Sequence, residues 1–147
     1  MRQKEAYERL TSHGVKPSVQ RLAIMDYLLT HLTHPTVEDV YQGLCKKIPT
    51  LSRTTVYNTL RLLSESHAAQ MITIDDHHVC YDGIAEPHVH FLCKRCGYVC
   101  DLQDEQTPHL EKPRNVNGHI LSEVQLYYKG ICARCNEEVQ EQKTIIQ

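Results

Sequence analysis

Apolar residues in the first part of the chain recur at helical spacing, and near residue 70 the rhythm changes to alternation. Ala6 and Leu10 lie one helical turn apart, so a short helix is predicted over 2–13, with Gly14 as its stop. A second helix is expected to open at Pro17, where the missing N–H costs nothing. It runs to about residue 30, with Val19, Leu22, Ala23, Ile24, Tyr27 and Leu28 on a wide apolar face. His31 to Pro35 reads as a connector in which the proline keeps His34 out of helical geometry. Thr36 is placed to cap a third helix, Asp39 completes a capping box, and Val37, Val40, Tyr41 and Leu44 form the buried side. Ser52 caps a fourth helix over about 53–66, where Val56, Leu60 and Leu63 share one face. Two strand-like runs follow, Met71–Ile74 and Val79–Tyr81, joined by Asp75 to His78.

After Asp82 the composition shifts. Residues 83–87 read as a linker, 88–93 as a strand and 97–102 as its partner, with a cysteine pair in the turn between them. Residues 104–117 are expected to cross over as a helix, shortened by Pro113. A strand-like stretch covers 119–128, and the polar tail 136–147 reads as helical or frayed. The expected fold class is α+β. A winged helix-turn-helix over 1–82 joins, through a hinge at 83–87, a small α/β domain over 88–147.

The 147 residues are 41% hydrophobic, enough for one core or two small ones. The chain has no apolar run of membrane length, and its first residues do not read as a secretory signal, so a reducing cytoplasmic setting is expected. A net charge of −2 argues against nucleic acid, but its distribution reverses the argument. Residues 1–63 hold nine Lys/Arg against five Asp/Glu, whereas 64–147 hold seven against thirteen. A basic half on an acidic half suggests two tasks. On the fourth helix Arg53, Thr54, Tyr57, Asn58 and Arg61 fall largely off the apolar face. Arg and Asn suit base edges, Thr and Tyr suit phosphates, and Lys16, Arg21 and Arg53 are candidate phosphate contacts. An ordinary solvated face is the bland alternative.

Two sets of residues carry chemistry. Cys93-Lys-Arg-Cys96 and Cys132-Ala-Arg-Cys135 each bring two sulfurs to one short turn, the pattern of a tetrahedral structural Zn(II). Redox dithiols or disulfides fit the setting less well. Cys45, Cys80 and Cys100 read as small buried apolar residues. A unit of this size gains needed stability from zinc and from a partner chain. The second set begins with His88 and His90, on one side of a strand. Asp82, Asp101 and the pre-proline His34 complete three imidazoles and two carboxylates, a mix suited to Fe(II), Mn(II), Co(II) or Zn(II). Two surface histidines are the alternative reading of that motif.

Gly14-Val-Lys-Pro-Ser-Val-Gln-Arg21, His34-Pro-Thr36, Thr54-Thr-Val-Tyr-Asn-Thr-Leu60, His88-Val-His90, both cysteine pairs and Gly118-His119 together resemble the ferric uptake regulator superfamily over nearly the whole chain. The resemblance implies a homodimeric, metal-dependent repressor whose winged helix binds an inverted-repeat DNA operator. It implies structural zinc on Cys93, Cys96, Cys132 and Cys135. The chain is most similar to the peroxide-sensing subgroup, whose regulatory metal is held by residues matching His34, Asp82, His88, His90 and Asp101. Aspartate at position 101 favours that subgroup, since iron sensors usually have glutamate there. In such sensors bound Fe(II) reduces peroxide and a ligand imidazole is oxidised, His34 and His88 being the matching positions; Mn(II) would hold the same shape without that chemistry. An iron- or manganese-responsive uptake repressor is the alternative. A cysteine switch through Cys100, a small metallohydrolase using Asp82 or Glu86 as acid or base, and a zinc-stapled protein-interaction module are the remaining readings. The metal is expected to fix the relative orientation of the two halves, and so whether a dimer fits its operator.

Overall fold

Helix α1, Arg2–Ser12, ends in a Schellman turn. Gly14 takes a φ of +74°, the left-handed region that glycine enters without steric cost, and Val15 N donates to Leu10 O at 2.9 Å. Helix α2, Val19–Thr30, starts two residues later than the sequence suggests. The N-cap is Ser18, whose hydroxyl accepts from Arg21 N, so Pro17 precedes the cap instead of opening the helix. Val19 therefore sits in the first turn, facing solvent (76% exposed), and leaves the apolar face. Met25 is buried beside Ile24 and Leu28 in its place.

Helix α3, Val37–Leu44, begins with the expected capping box of Thr36 and Asp39. Helix α4, Arg53–Glu65, is capped by Ser52 and buries Val56, Leu60 and Leu63 as predicted, with Thr59. Strands β1, Gln70–Asp75, and β2, His78–Asp82, form an antiparallel hairpin with Gln70 opposite Asp82. Its second strand is clipped to the connector before α3. Tyr81 N donates to Pro35 O at 2.9 Å, and Thr36 bridges Cys80. The core of this part gathers Leu10, Ile24, Met25, Leu28, Val40, Leu60, Leu63 and Tyr81. Leu60 is fully buried on α4. Replacing it with alanine is expected to cost ~3 kcal/mol, from lost transfer energy plus the residual cavity. Urea unfolding followed by helical circular dichroism should show a lower midpoint with an unchanged slope.

The computed structural model describes residues 2–75, 78–84, 89–102, 113–122 and 124–146. They fall into two units, Met1–Ala85 and Glu86–Gln147. Residues 85–87 of the hinge expected at 83–87, His88, and 104–112 of the expected crossover helix lie outside the described residues.

In the second unit β3, Val89–Cys93, is the central strand. Its antiparallel neighbour is β4, Val99–Leu102, two residues shorter than expected because Gly97 (φ +79°) still belongs to the cysteine turn. The end of the expected crossover helix is not helical. Residues Arg114–Val116 form β5, which pairs antiparallel with β6, His119–Leu121. Asn117 and Gly118 have φ of 52° and 83°, the geometry of a type I′ turn, and an Asn-Gly pair prefers that turn to helix. The expected strand over 119–128 is accordingly split, and its later part becomes β7, Leu126–Gly130, which pairs parallel to β3. Helix α5, Ala133–Ile146, follows directly. No helix among the described residues is long and apolar enough to cross a membrane.

Candidate metal centres

All four cysteines of the two CxxC pairs converge in the second unit, their sulfurs within 4.8 Å of one another. The first pair occupies the β3–β4 turn, closed by Gly97 N to Cys93 O at 2.9 Å. The second straddles the start of α5, where the Cys132 sulfur accepts from Cys135 N at 3.5 Å as a serine cap would. Lys94 N donates to Gly130 O at 2.7 Å and fastens the first turn to the end of β7. The Cys96 and Cys132 sulfurs are 3.8 Å apart. That matches the edge of a tetrahedron whose Zn–S bonds are about 2.3 Å, so the residues present fit a structural Zn(II).

The electrostatics point the same way. Backbone N–H groups of Cys96 and Cys132 donate to the Cys93 sulfur and lower its thiol to about 6. Burial pushes the Cys135 thiol up to about 12, so ionising that sulfur calls for a cation beside it. Two arginines missed in the sequence reading, Arg95 and Arg134, flank the cluster: Arg95 braces its backbone, and Arg134 faces its charge. Arg95 donates to Cys135 O at 3.2 Å, and the Cys96, Cys135 and Cys132 sulfurs raise the Arg134 pKa. The signal was available: each arginine sits inside its own CxxC pair. Cys100, on β4, stands outside the cluster, and burial raises its thiol, which disfavours a reactive thiolate there.

The proposed regulatory ligands appear as one His–Asp pair in each unit. In the first, His34 Nε2 lies 3.6 Å from Asp82 Oδ2, with side chains only 4% and 1% exposed. The gap exceeds a hydrogen bond. It is the separation of two donors flanking a first-row ion with bonds of about 2.1 Å. His34 holds a φ of 59°, a left-handed backbone uncommon for a non-glycine residue and often kept at functional sites. The connector's attachment to β2 enforces it, and the same strand ends in Asp82. Ile84 N donates to Asp82 Oδ1 at 2.9 Å, which directs Oδ2 at the imidazole.

In the second unit His90 and Asp101 are cross-strand partners on β3 and β4. His90 Nε2 and Asp101 Oδ1 are 3.5 Å apart, the imidazole 3% exposed and the carboxylate 26%. The Tyr127 ring from β7 lies against His90, with centroids 5.8 Å apart. Each pair, a buried imidazole facing a carboxylate, offers donors of the kind that Fe(II) or Mn(II) takes.

Of the candidate nucleic-acid residues, Arg53, Thr54, Tyr57, Asn58 and Arg61 are all exposed on α4. Lys16, Arg21 and Asn58 line one concavity between the start of α2 and α4. Not every guanidinium stands alone. Arg53 makes a two-pronged pair with Glu38 at 2.8 and 3.0 Å and stacks on the Tyr41 ring at 4.2 Å. Its hydrogen bonds, followed by one from Gln42, hold the Glu38 carboxyl down to about 2. The pair therefore stays ionised at neutral pH and loosens only as pH falls toward that value. Arg61 pairs with Glu65 at 2.9 Å, and Arg21 donates to Lys16 O at 2.9 Å.

The Peroxide operon regulator of Bacillus subtilis is 35% identical over 136 residues, 92% of this chain and 94% of that one. The solved structure of PerR from Streptococcus pyogenes, described as a basis for peroxide sensing and gene regulation, is 25% identical. It covers 90% of this chain and 92% of its own, with a TM-score of 0.50. The Helicobacter pylori ferric uptake regulator shares the fold at a TM-score of 0.67 and 19% identity, covering 91% of this chain and 93% of its own. Residues 12–129 match the model of the ferric uptake regulator family, and the chain belongs to that family.

Proposed function

We propose that this protein is a cytoplasmic, metal-dependent transcriptional repressor, and not an enzyme, that binds an inverted-repeat DNA operator as a homodimer and responds to peroxide. The observation that carries the reading is the buried His34–Asp82 pair, built from the connector and the wing strand of the basic half. A site made from those two elements is well placed to make metal occupancy alter a DNA-binding surface. In this reading residues 1–82 contact DNA, 83–87 are the hinge, and 88–147 dimerise and hold structural zinc on Cys93, Cys96, Cys132 and Cys135. His34, Asp82, His88, His90 and Asp101 share one regulatory Fe(II) or Mn(II), drawn from both halves. Lys16, Arg21 and Arg53 face phosphates, while Thr54, Tyr57, Asn58 and Arg61 are offered to the major groove. Since Arg53 is already paired, Glu38 sets the angle at which it is presented.

The peroxide assignment draws on the names of the relatives and on aspartate at position 101. Fe(II), when bound, would supply the electrons that activate peroxide beside the ligand imidazoles. His34 and His88 are the residues proposed to take up oxygen, after which a weakened ligand set releases the operator.

An operator selected from a random duplex library should shift in a gel with Mn(II) or Fe(II) and not without. Binding should fall linearly on a log–log plot against salt. After dilute peroxide, the iron-loaded protein should lose the shift and carry one added oxygen atom on His34 or His88 by mass spectrometry, while the Mn(II) form stays unchanged. Unmodified histidines with the shift intact would leave an iron- or manganese-responsive uptake repressor.

A further inference from the structure

We propose that Arg9 is a positioning residue for the regulatory metal site, acting through the backbone that carries Asp82. This rests on the reading of His34 and Asp82 as ligands. Arg9 stands near the end of α1, far in sequence from either ligand. Its Nη1 donates to Ala68 O at 3.0 Å and to Gly83 O at 2.6 Å. Those carbonyls belong to the two feet of the β1–β2 hairpin. Ala68 closes the turn after α4, with its N–H on Leu63 O at 2.9 Å, and β1 starts at Gln70. Gly83 directly follows Asp82, the last residue of β2 and the register partner of Gln70. One cation thus spans the entrance and exit of the hairpin, and a cationic donor makes the stronger kind of hydrogen bond.

The same short segment is held from two further directions. Gly83 lies on α2 so closely that a Cβ would stand 2.8 Å from Leu28 O, a contact with backbone that cannot turn aside. Ile84 N ties the Asp82 carboxylate to its own turn at 2.9 Å. Asp82 itself is 2% exposed. A ligand held in this way meets an ion with little reorganisation, and outer partners that orient a ligand commonly alter metal affinity by about 10- to 100-fold. Arg9 touches neither ligand side chain in this scheme; it fixes the main chain from which one projects.

The test uses full-length, zinc-loaded protein titrated with Mn(II), below the melting temperature of every variant. Arg9→Met keeps the aliphatic stem and removes the donor. Gly83→Ala leaves Arg9 intact and displaces its acceptor. Each is expected to weaken Mn(II) binding about tenfold or more, with zinc content and helical signal unchanged at the assay temperature. Arg9→Lys, which keeps a cationic donor, should recover most of that loss. A purely structural role would lower the melting temperature and leave Mn(II) affinity alone. Arg9→Met within about twofold of wild type would overturn the proposal, and if Arg9→Met does not fold, Arg9→Gln, which keeps a neutral donor on a shorter side chain, decides it by the same threshold. Wild-type protein that binds no Mn(II) would instead sink the ligand reading beneath it.

Discussion

Replacing Cys93 with serine is expected to abolish zinc binding and unfold the second unit. Cys93 is 1% exposed and receives N–H donors from both halves of the cluster, Cys96 and Cys132. Among the described residues, the apolar cluster of this unit consists of Cys93, Cys132 and Cys135 with Phe91 packed against them. A zinc ion held by these sulfurs would stand where another domain places leucines. Zinc in small domains contributes an apparent ~10–16 kcal/mol near neutral pH, which matches or exceeds the ~5–15 kcal/mol net stability of an ordinary domain. Elemental analysis should fall from one zinc per chain to none, and the melting transition of the second unit should vanish. Cys100→Ser is the control, because that residue lies outside the cluster. A Cys93→Ser protein that melts like wild type would refute a structural role for the metal.

Substituting His34 with alanine is expected to erase the metal response of DNA binding while leaving metal-free binding and the fold in place. His34 sits in a connector clipped to β2 and is 7% exposed, so its imidazole is not a solvated surface group. If the ion favours the DNA-competent dimer about a hundredfold, losing that ligand removes ~2.7 kcal/mol of coupling. Operator affinity measured by fluorescence anisotropy in Mn(II) should fall about a hundredfold, to the metal-free level. Asp82→Asn keeps the shape and removes the charge, and should do the same. An unchanged Mn(II) effect in either variant would remove the ligand from the scheme.

Much of this was readable from residue patterns because its causes are local. Ser52 and Thr36 carry cap chemistry, Gly14 marks a left-handed stop, and Val56, Leu60 and Leu63 fall on one face of a helix. The cysteine pairs were legible because metal geometry demands their spacing. What failed was non-local or rested on a weaker signal given too much weight. The helix expected across 104–117 does not include its last residues, where Asn117-Gly118 is itself a strong hairpin signal. The parallel pairing of β7 with β3 has no local mark, since parallel strands are joined by a long crossover. Pro17 and Ser18 both suit a helix start, and the hydroxyl that accepts from Arg21 N decided between them. Arg9 could not be singled out at all, because its acceptors lie 59 and 74 residues away.

The proposed regulatory ion takes ligands from both halves of the chain. The most direct measurement is calorimetric titration of zinc-loaded protein with Mn(II), comparing wild type with Asp82→Asn and with Asp101→Asn. Wild type should bind a single Mn(II) per chain beyond its zinc, and each substitution, one in each unit, should abolish that step. Undiminished Mn(II) binding in either variant would contradict a shared site.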